Sequence, residues 1–179
     1  MKAFKHLKTI IKHKHWVFYY CCKAGIPFRG LIHDLSKFSP IEFFESVKYY
    51  TGTHSPIDEA KADKGYSKAW LHHRGRNKHH YEYWVDYLES GGLPILMPYK
   101  YTVEMMCDYL GAARAYLGAG FSYEGEMRWW INKNPQKMHE VNKEFITQAL
   151  GYMVAYQLVP NKKVCKKLYK KIYDAWKNK

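Results

Sequence analysis

Cysteine is scarce in this chain and shows no pattern. Cys21, Cys22, Cys107 and Cys165 have neither CxxC spacing nor the density of a secreted disulfide scaffold. Reduced thiols in a cytoplasmic protein are the expectation. Long apolar runs are missing too. No stretch approaches the roughly 18 uninterrupted apolar residues of a membrane span, so neither a span nor a membrane partner is expected. Lys and His interrupt every candidate apolar core of a secretory signal, and no small-residue cleavage site follows. Composition speaks less firmly against a mitochondrial presequence. Period-two alternation bounded by hairpin turns is absent, as are internal repeats and low-complexity linkers, which points away from sheet and from multiple domains.

Acids are also missing from one region. Residues 1–33 hold seven Lys or Arg and no acid, and residues 161–179 hold eight Lys against Asp174 alone. The formal net charge of +13 therefore belongs to the two ends, around a nearly neutral middle. Such ends attract phosphate-bearing molecules, and nucleic acid is a conceivable partner. The plainer reading of the last segment is an amphipathic helix, with Lys162, Lys163, Lys166, Lys167, Lys170 and Lys171 solvated and Val164, Leu168, Ile172 and Trp176 facing a core.

What is present is helical periodicity and histidine. With 179 residues and 47% hydrophobic content, the chain can bury one core. Apolar spacing and start–stop signals predict helices at about 2–23, 28–37, 40–50, 56–64, 66–73, 78–88, 100–117, 122–131, 135–157 and 162–177. Ser39-Pro40-Ile41-Glu42 reads as a capping box with Pro in the first turn. The expected fold class is all-α, a single helical domain over residues 1–179. The 31 aromatic residues suit the core of such a bundle.

Ten histidines are clustered. His33-Asp34 precedes Lys37, placing an imidazole, a carboxylate and an ammonium within one helical turn. The segment from His72 to His80 holds His72, His73, His79 and His80 with Arg74, Arg76 and Lys78 between them. So many imidazoles beside cations would repel one another if protonated, and ligation to a metal, which requires neutral nitrogens, removes that objection. Asn77 and Glu82 are natural partners for the other ring nitrogens. In Glu104-Met105-Met106-Cys107-Asp108 the helix is apolar almost all round, so Asp108 is expensive to bury unless paired or bound to a metal.

The segments Gly30 to Pro40, Ala69 to Trp84 and Glu104 to Asp108 together resemble the HD-domain superfamily of metal-dependent phosphohydrolases. The resemblance covers about residues 10–115, and it implies an HD-like bundle whose metal-site core is that region, with helices 122–179 packed on it. It also implies that His33 and Asp34 are the motif that names the superfamily, that Asp108 is its final metal-binding Asp, and that Lys37 follows as in members shaped His-Asp-x-x-Lys. His79 and His80 resemble the paired histidines of members that bind two metals. The first superfamily His is His13 or His15, with His13 preferred because Val17 completes a His-x-x-x-Val pattern. A well-separated single His usually precedes the pair in dinuclear members, whereas here His72 and His73 lie close by. One or two metals therefore stay open, as does His72 against His73, of which His73 is the choice.

The implied ligand set is His13, His33, Asp34, His73, His79, His80 and Asp108. The ion would be a divalent transition metal (Mn, Fe, Co, Ni or Zn), and Lys37, Arg74 and Arg76 would hold a small anionic phosphorylated substrate. Asp34 and Lys37 would be the catalytic pair. An HD-type di-iron oxygenase would use the same ligands.

Overall fold

A computed structural model describes residues 1–88 and 91–179. The helix α1 (Lys2–Ala24) runs along one side and stops at Gly25, whose φ of 78° ends it with amide bonds back to Cys21 and Cys22. The short α2 (Pro27–Ile32) folds back on it, and α3 (Pro40–Tyr49), α4 (Pro56–Lys64) and α5 (Lys68–Arg76) follow. Their starts use the signals visible in the sequence: Ser39, Ser55 and Ser67 each accept from an amide of the first turn. The long α6 (Tyr99–Leu117) pairs with α1, then α7 (Tyr123–Lys133), α8 (Glu140–Tyr156) and α9 (Lys162–Lys177) close the far side. The all-α class holds.

Three expected helices take another form. The one over 28–37 breaks at His33 and Asp34, where Asp34 adopts a left-handed φ of 52°, and resumes as a 3-10 turn over Leu35–Phe38. A stretch expected at 78–88 is instead a 3-10 turn, Tyr81–Trp84, and a strand β1 (Val85–Leu88) paired antiparallel with β2 (Gly91–Pro94). Tyr83, Trp84, Val85 and Tyr87 are β-favouring residues whose preference outweighs the weak helical spacing there. Helix α8 begins at Glu140 and not near Pro135, because Asn134 at φ 36° serves as the left-handed end of α7 while His139 caps α8.

One buried cluster links Val17, Tyr20 and Cys21 of α1, Val103, Met106 and Leu110 of α6, and Phe145, Ile146, Leu150 and Met153 of α8. Cys165 and Ile172 attach the apolar face of α9 to it, leaving the lysines of that helix exposed. Each such side chain contributes about 1.5–3 kcal/mol on burial. Two glycines set how closely the first helices approach. A Cβ at Gly111 would meet Val17 Cγ2 at 2.4 Å and the Val17 amide nitrogen at 3.0 Å, and one at Gly30 would meet the Phe18 Cα at 2.9 Å. Backbone, which cannot step aside, stands in the way at both.

Gly111→Ala is therefore expected to cost about 1–3 kcal/mol in chemical denaturation. Gly151→Ala in α8, where the added methyl meets nothing within 4 Å, should stabilise by about 0.4–1 kcal/mol.

Candidate metal centre

Five segments converge between α1 and α6. From α1 comes His13, which is buried, while His15 is exposed, since two residues on a helix point roughly 200° apart. The break after α2 supplies His33 and Asp34, each 1% exposed. Helix α5 supplies His73, and the turn after it supplies His79 and His80. Helix α6 supplies Asp108 and, one turn earlier, Glu104. The structure thus brings His13 and His73 into the cluster in preference to His15 and His72.

Asp34 is the centre. Its Oδ2 lies 3.4 Å from His13 Nε2, 3.2 Å from His33 Nε2 and 2.8 Å from Lys37 Nζ. Its Oδ1 lies 3.3 Å from His73 Nε2 and 3.4 Å from His79 Nε2. Asp108 faces the same space, with Oδ1 3.2 Å from His13 and 3.4 Å from His33, and Oδ2 3.6 Å from His79. The two oxygens of Asp34 therefore address two donor sets: His13, His33 and Asp108 on one side, His73, His79 and His80 on the other. Within each set, Asp34 included, one donor atom per residue lies within 4.8 Å of every other.

Outer carboxylates fix the rings. Glu104, fully buried, accepts from His33 Nδ1 at 3.1 Å and lies 3.4 Å from His79 Nδ1, while Arg29 donates to its other oxygen at 2.6 and 2.7 Å. Glu42 accepts from His73 Nδ1 at 2.7 Å and, on its other oxygen, from His72 Nδ1 at 2.6 Å. With Nδ1–H committed outward, the Nε2 atoms of His33, His73 and His79 face inward, where each can ligate a metal in exchange for any proton it carries. Asn77 supports His73 by donating to its carbonyl oxygen at 2.8 Å and to Ser36 Oγ at 2.7 Å. His80 is wedged among His79, His73 and Trp70, with ring centroids 4.2, 4.8 and 4.9 Å away.

Inside this shell the polar atoms are starved. Among the described residues, His79 Nε2, His80 Nε2 and Asp34 Oδ1 are buried without a well-formed hydrogen bond, and Asp34 Oδ2 has the Lys37 ion pair in place of one. Buried polar groups are rarely left so, because each costs about 1–3 kcal/mol. The cluster of imidazole nitrogens and carboxylate oxygens can hold a metal ion, which would satisfy all of these atoms. Glu104 also falls in a third group with His33 and His79, but through the Nδ1 atoms it already bonds, so it orients ligands.

Electrostatics agree with the geometry. Burial alone would depress the His33 pKa, but the Asp34 charge, with hydrogen bonds to Asp108, Asp34 and Glu104, lifts it well above the ordinary range. Burial would raise Asp34, yet His33, Lys37 and His73 hold it well below the usual carboxylate value. Glu104 is drawn down to about 2 against its burial by His33 and His79. Burial and the neighbouring His33 lower His79, and burial with His79 and His73 lowers His80 further.

Of the other expected residues, Arg76 is exposed and Arg74 half-buried, and neither forms an ion pair with the cluster among the described residues. Glu82 makes no hydrogen bond to a histidine among the described residues, because the helix that would have stacked it near His79 is a 3-10 turn and a strand. Burial instead pushes its carboxyl pKa up. Glu104, Glu42 and Arg29 escaped the sequence reading. Glu104 lies on the same almost wholly apolar helix as Asp108, so the reasoning that singled out Asp108 applied to it. Glu42 was taken for half of a capping box, but its carboxylate serves His72 and His73 while its amide alone bonds Ser39.

Glu104→Gln is expected to weaken metal binding about 10–100-fold, because both histidines lose their anionic partner, whereas His15→Ala should leave it unchanged in a metal titration. The His33 pKa also fixes a pH dependence. A raised imidazole pKa stabilises the metal-free fold below pH 6.5 and that contribution disappears as pH rises, while the lowered carboxylates lose theirs in acid. The lowered His79 and His80 act the other way, losing stability as pH falls below 6.5 because their burial resists protonation, so the melting temperature of metal-free protein should peak near neutral pH and fall on either side. Metal addition should release protons and move the maximum upward, which calorimetry in buffers of different ionisation enthalpy would read.

Comparison with known protein families matches residues 2–152 to one described as a family of unknown function, DUF5662. No curated protein and no solved structure matches significantly. The match takes in every residue of the cluster and most of the chain, which thus belongs to the DUF5662 family.

Proposed function

We propose that this protein is a metal-dependent phosphohydrolase of HD-domain type, acting on a nucleotide or another small phosphoester. The observation that carries the reading is Asp34, whose two oxygens face separate His-rich donor sets while Lys37 pairs with one of them. That arrangement suits two ions linked by Asp34, one held by His13, His33 and Asp108 and the other by His73, His79 and His80. Mixed imidazole and carboxylate donors favour Mn, Fe, Co, Ni or Zn. When bound, such ions lower the pKa of a coordinated water toward about 7 and polarise a phosphoryl oxygen.

The protein's own groups do the rest. The Lys37 ammonium is partly open to solvent, its side chain 29% exposed, and can hold a phosphoryl oxygen while staying in reach of Asp34. The Asp34 charge, after the opposing effect of burial, raises the Lys37 pKa and keeps it cationic across the physiological range. Glu104 and Glu42 hold His33, His79 and His73 against rotation, so the Nε2 atoms need no reorganisation. Trp70, stacked near His73 and edge-on to His80, shields that side from water. Lys37 carries the charge of substrate binding, helped by Lys14, which reaches the His33 carbonyl.

Elemental analysis should find transition metal, and a panel of phosphoesters should be hydrolysed after Mn²⁺ addition. Lys37→Met should keep the metal and lose about 10²–10³ in kcat, whereas Asp108→Ala should lose metal. A metal-loaded protein inert on the whole panel would overturn the reading, and oxygen-dependent turnover with iron would replace it by di-iron chemistry.

A further inference from the structure

The segments that build the metal cluster turn an apolar surface outward. Phe4, Ile11 and Phe18 lie at i, i+7 and i+14 on α1, a stripe opposite the one carrying His6, His13 and Val17. Beside it stand Phe28 and Leu31 of α2 and Leu35 of the following turn. These six are 40–68% exposed. Taking roughly 150–200 Å² for each large side chain, they expose on the order of 600 Å², the upper end of what a protein shows without a use for it. The stripes adjoin, because α2 packs against α1 where Gly30 meets Phe18 and Cys21.

Charge decides what can cover this surface. Lys2, Lys5, Lys8, Lys12 and Lys23 are exposed on the same helix. The acids in residues 1–50 are Asp34, Glu42 and Glu45. Asp34 and Glu42 are buried in the site, and Glu45 is bonded to Lys64, Ser67 and Ala69. Face-to-face pairing of two copies would bring two acid-free, lysine-rich surfaces together. The side chains are exposed on the outside of helices. A bilayer accepts such apolar side chains a few ångströms below its headgroups while flanking lysines meet anionic lipid.

We propose that the face formed by α1, α2 and the Leu35 turn is a docking surface for an anionic lipid bilayer. Among the described residues no helix is long and apolar enough to cross a membrane, and none is needed. The expectation of no membrane partner, which rested on the lack of a span, gives way to a chain that lies on the surface. The proposal is independent of the hydrolase reading.

The test is sedimentation of the full chain with vesicles of phosphatidylcholine alone and of phosphatidylcholine with phosphatidylserine at roughly 7:3. Retention is expected on the mixed vesicles, falling with salt and weak on the neutral ones. Phe28→Ser with Leu31→Ser should cut retention at least about tenfold, as should the exposed Lys2→Glu, Lys5→Glu and Lys8→Glu combination, which keeps a readout if the first variant folds poorly. Absence of retention on anionic vesicles, or retention that both variants leave unchanged, would overturn the proposal. So would a stable dimer in light scattering that the variants disperse, since the surface would then belong to a second copy.

Discussion

Removing the Asp34 carboxylate from water is the costliest demand this fold makes. An ionised carboxylate so buried is tolerated only when neighbouring charges and hydrogen bonds replace its hydration. Here Lys37, His13, His33, His73 and His79 surround it, drawn from α1, the break after α2, α5 and the turn beyond. The left-handed backbone at Asp34 belongs to the same constraint. A continuous helix would carry the side chain on past the site, whereas a single residue at positive φ turns both oxygens into it, and Asp tolerates that conformation better than most residues.

The surrounding packing maintains this demand. Gly111 and Gly30 let α6 and α2 approach α1 at backbone distance, so His13, Asp108 and the His33–Asp34 break meet in a space a few ångströms across. Glu104 ties the break to α6 and Glu42 ties α3 to α5, each through imidazole nitrogens turned away from the centre. The aromatic and methionine core of α6 and α8 lies behind these carboxylates, so their charges act in a medium where water screens them little. Chemistry and stability are consequently joined: an ion held by this cluster would cross-link the helices that supply its donors.

Much of the site was legible because its parts are local. His33 adjoins Asp34, His79 adjoins His80, and Asp108 stands out on an apolar helix, so each is visible within a few residues. The outer partners were not. Glu104 meets His33 across 71 residues and Glu42 meets His73 across 31, and nothing in a local window links them. Glu82 erred in the opposite sense: it sits close to His79 and His80 in sequence, but a turn and a strand replace the helix that would have stacked it on them.

Helical class, the paired lysine-rich ends and the supply of imidazole and carboxylate donors were determined by the sequence alone, since apolar spacing and residue type act over one or two turns. Tertiary structure decided which donors count: His13 over His15, His73 over His72, and Asp34 as the residue shared by two donor sets. The reason is physical. Periodicity states which side of a helix is apolar, but a ligand is selected by where that side meets another, and that depends on close approaches such as Gly111 on Val17, between segments far apart in the chain.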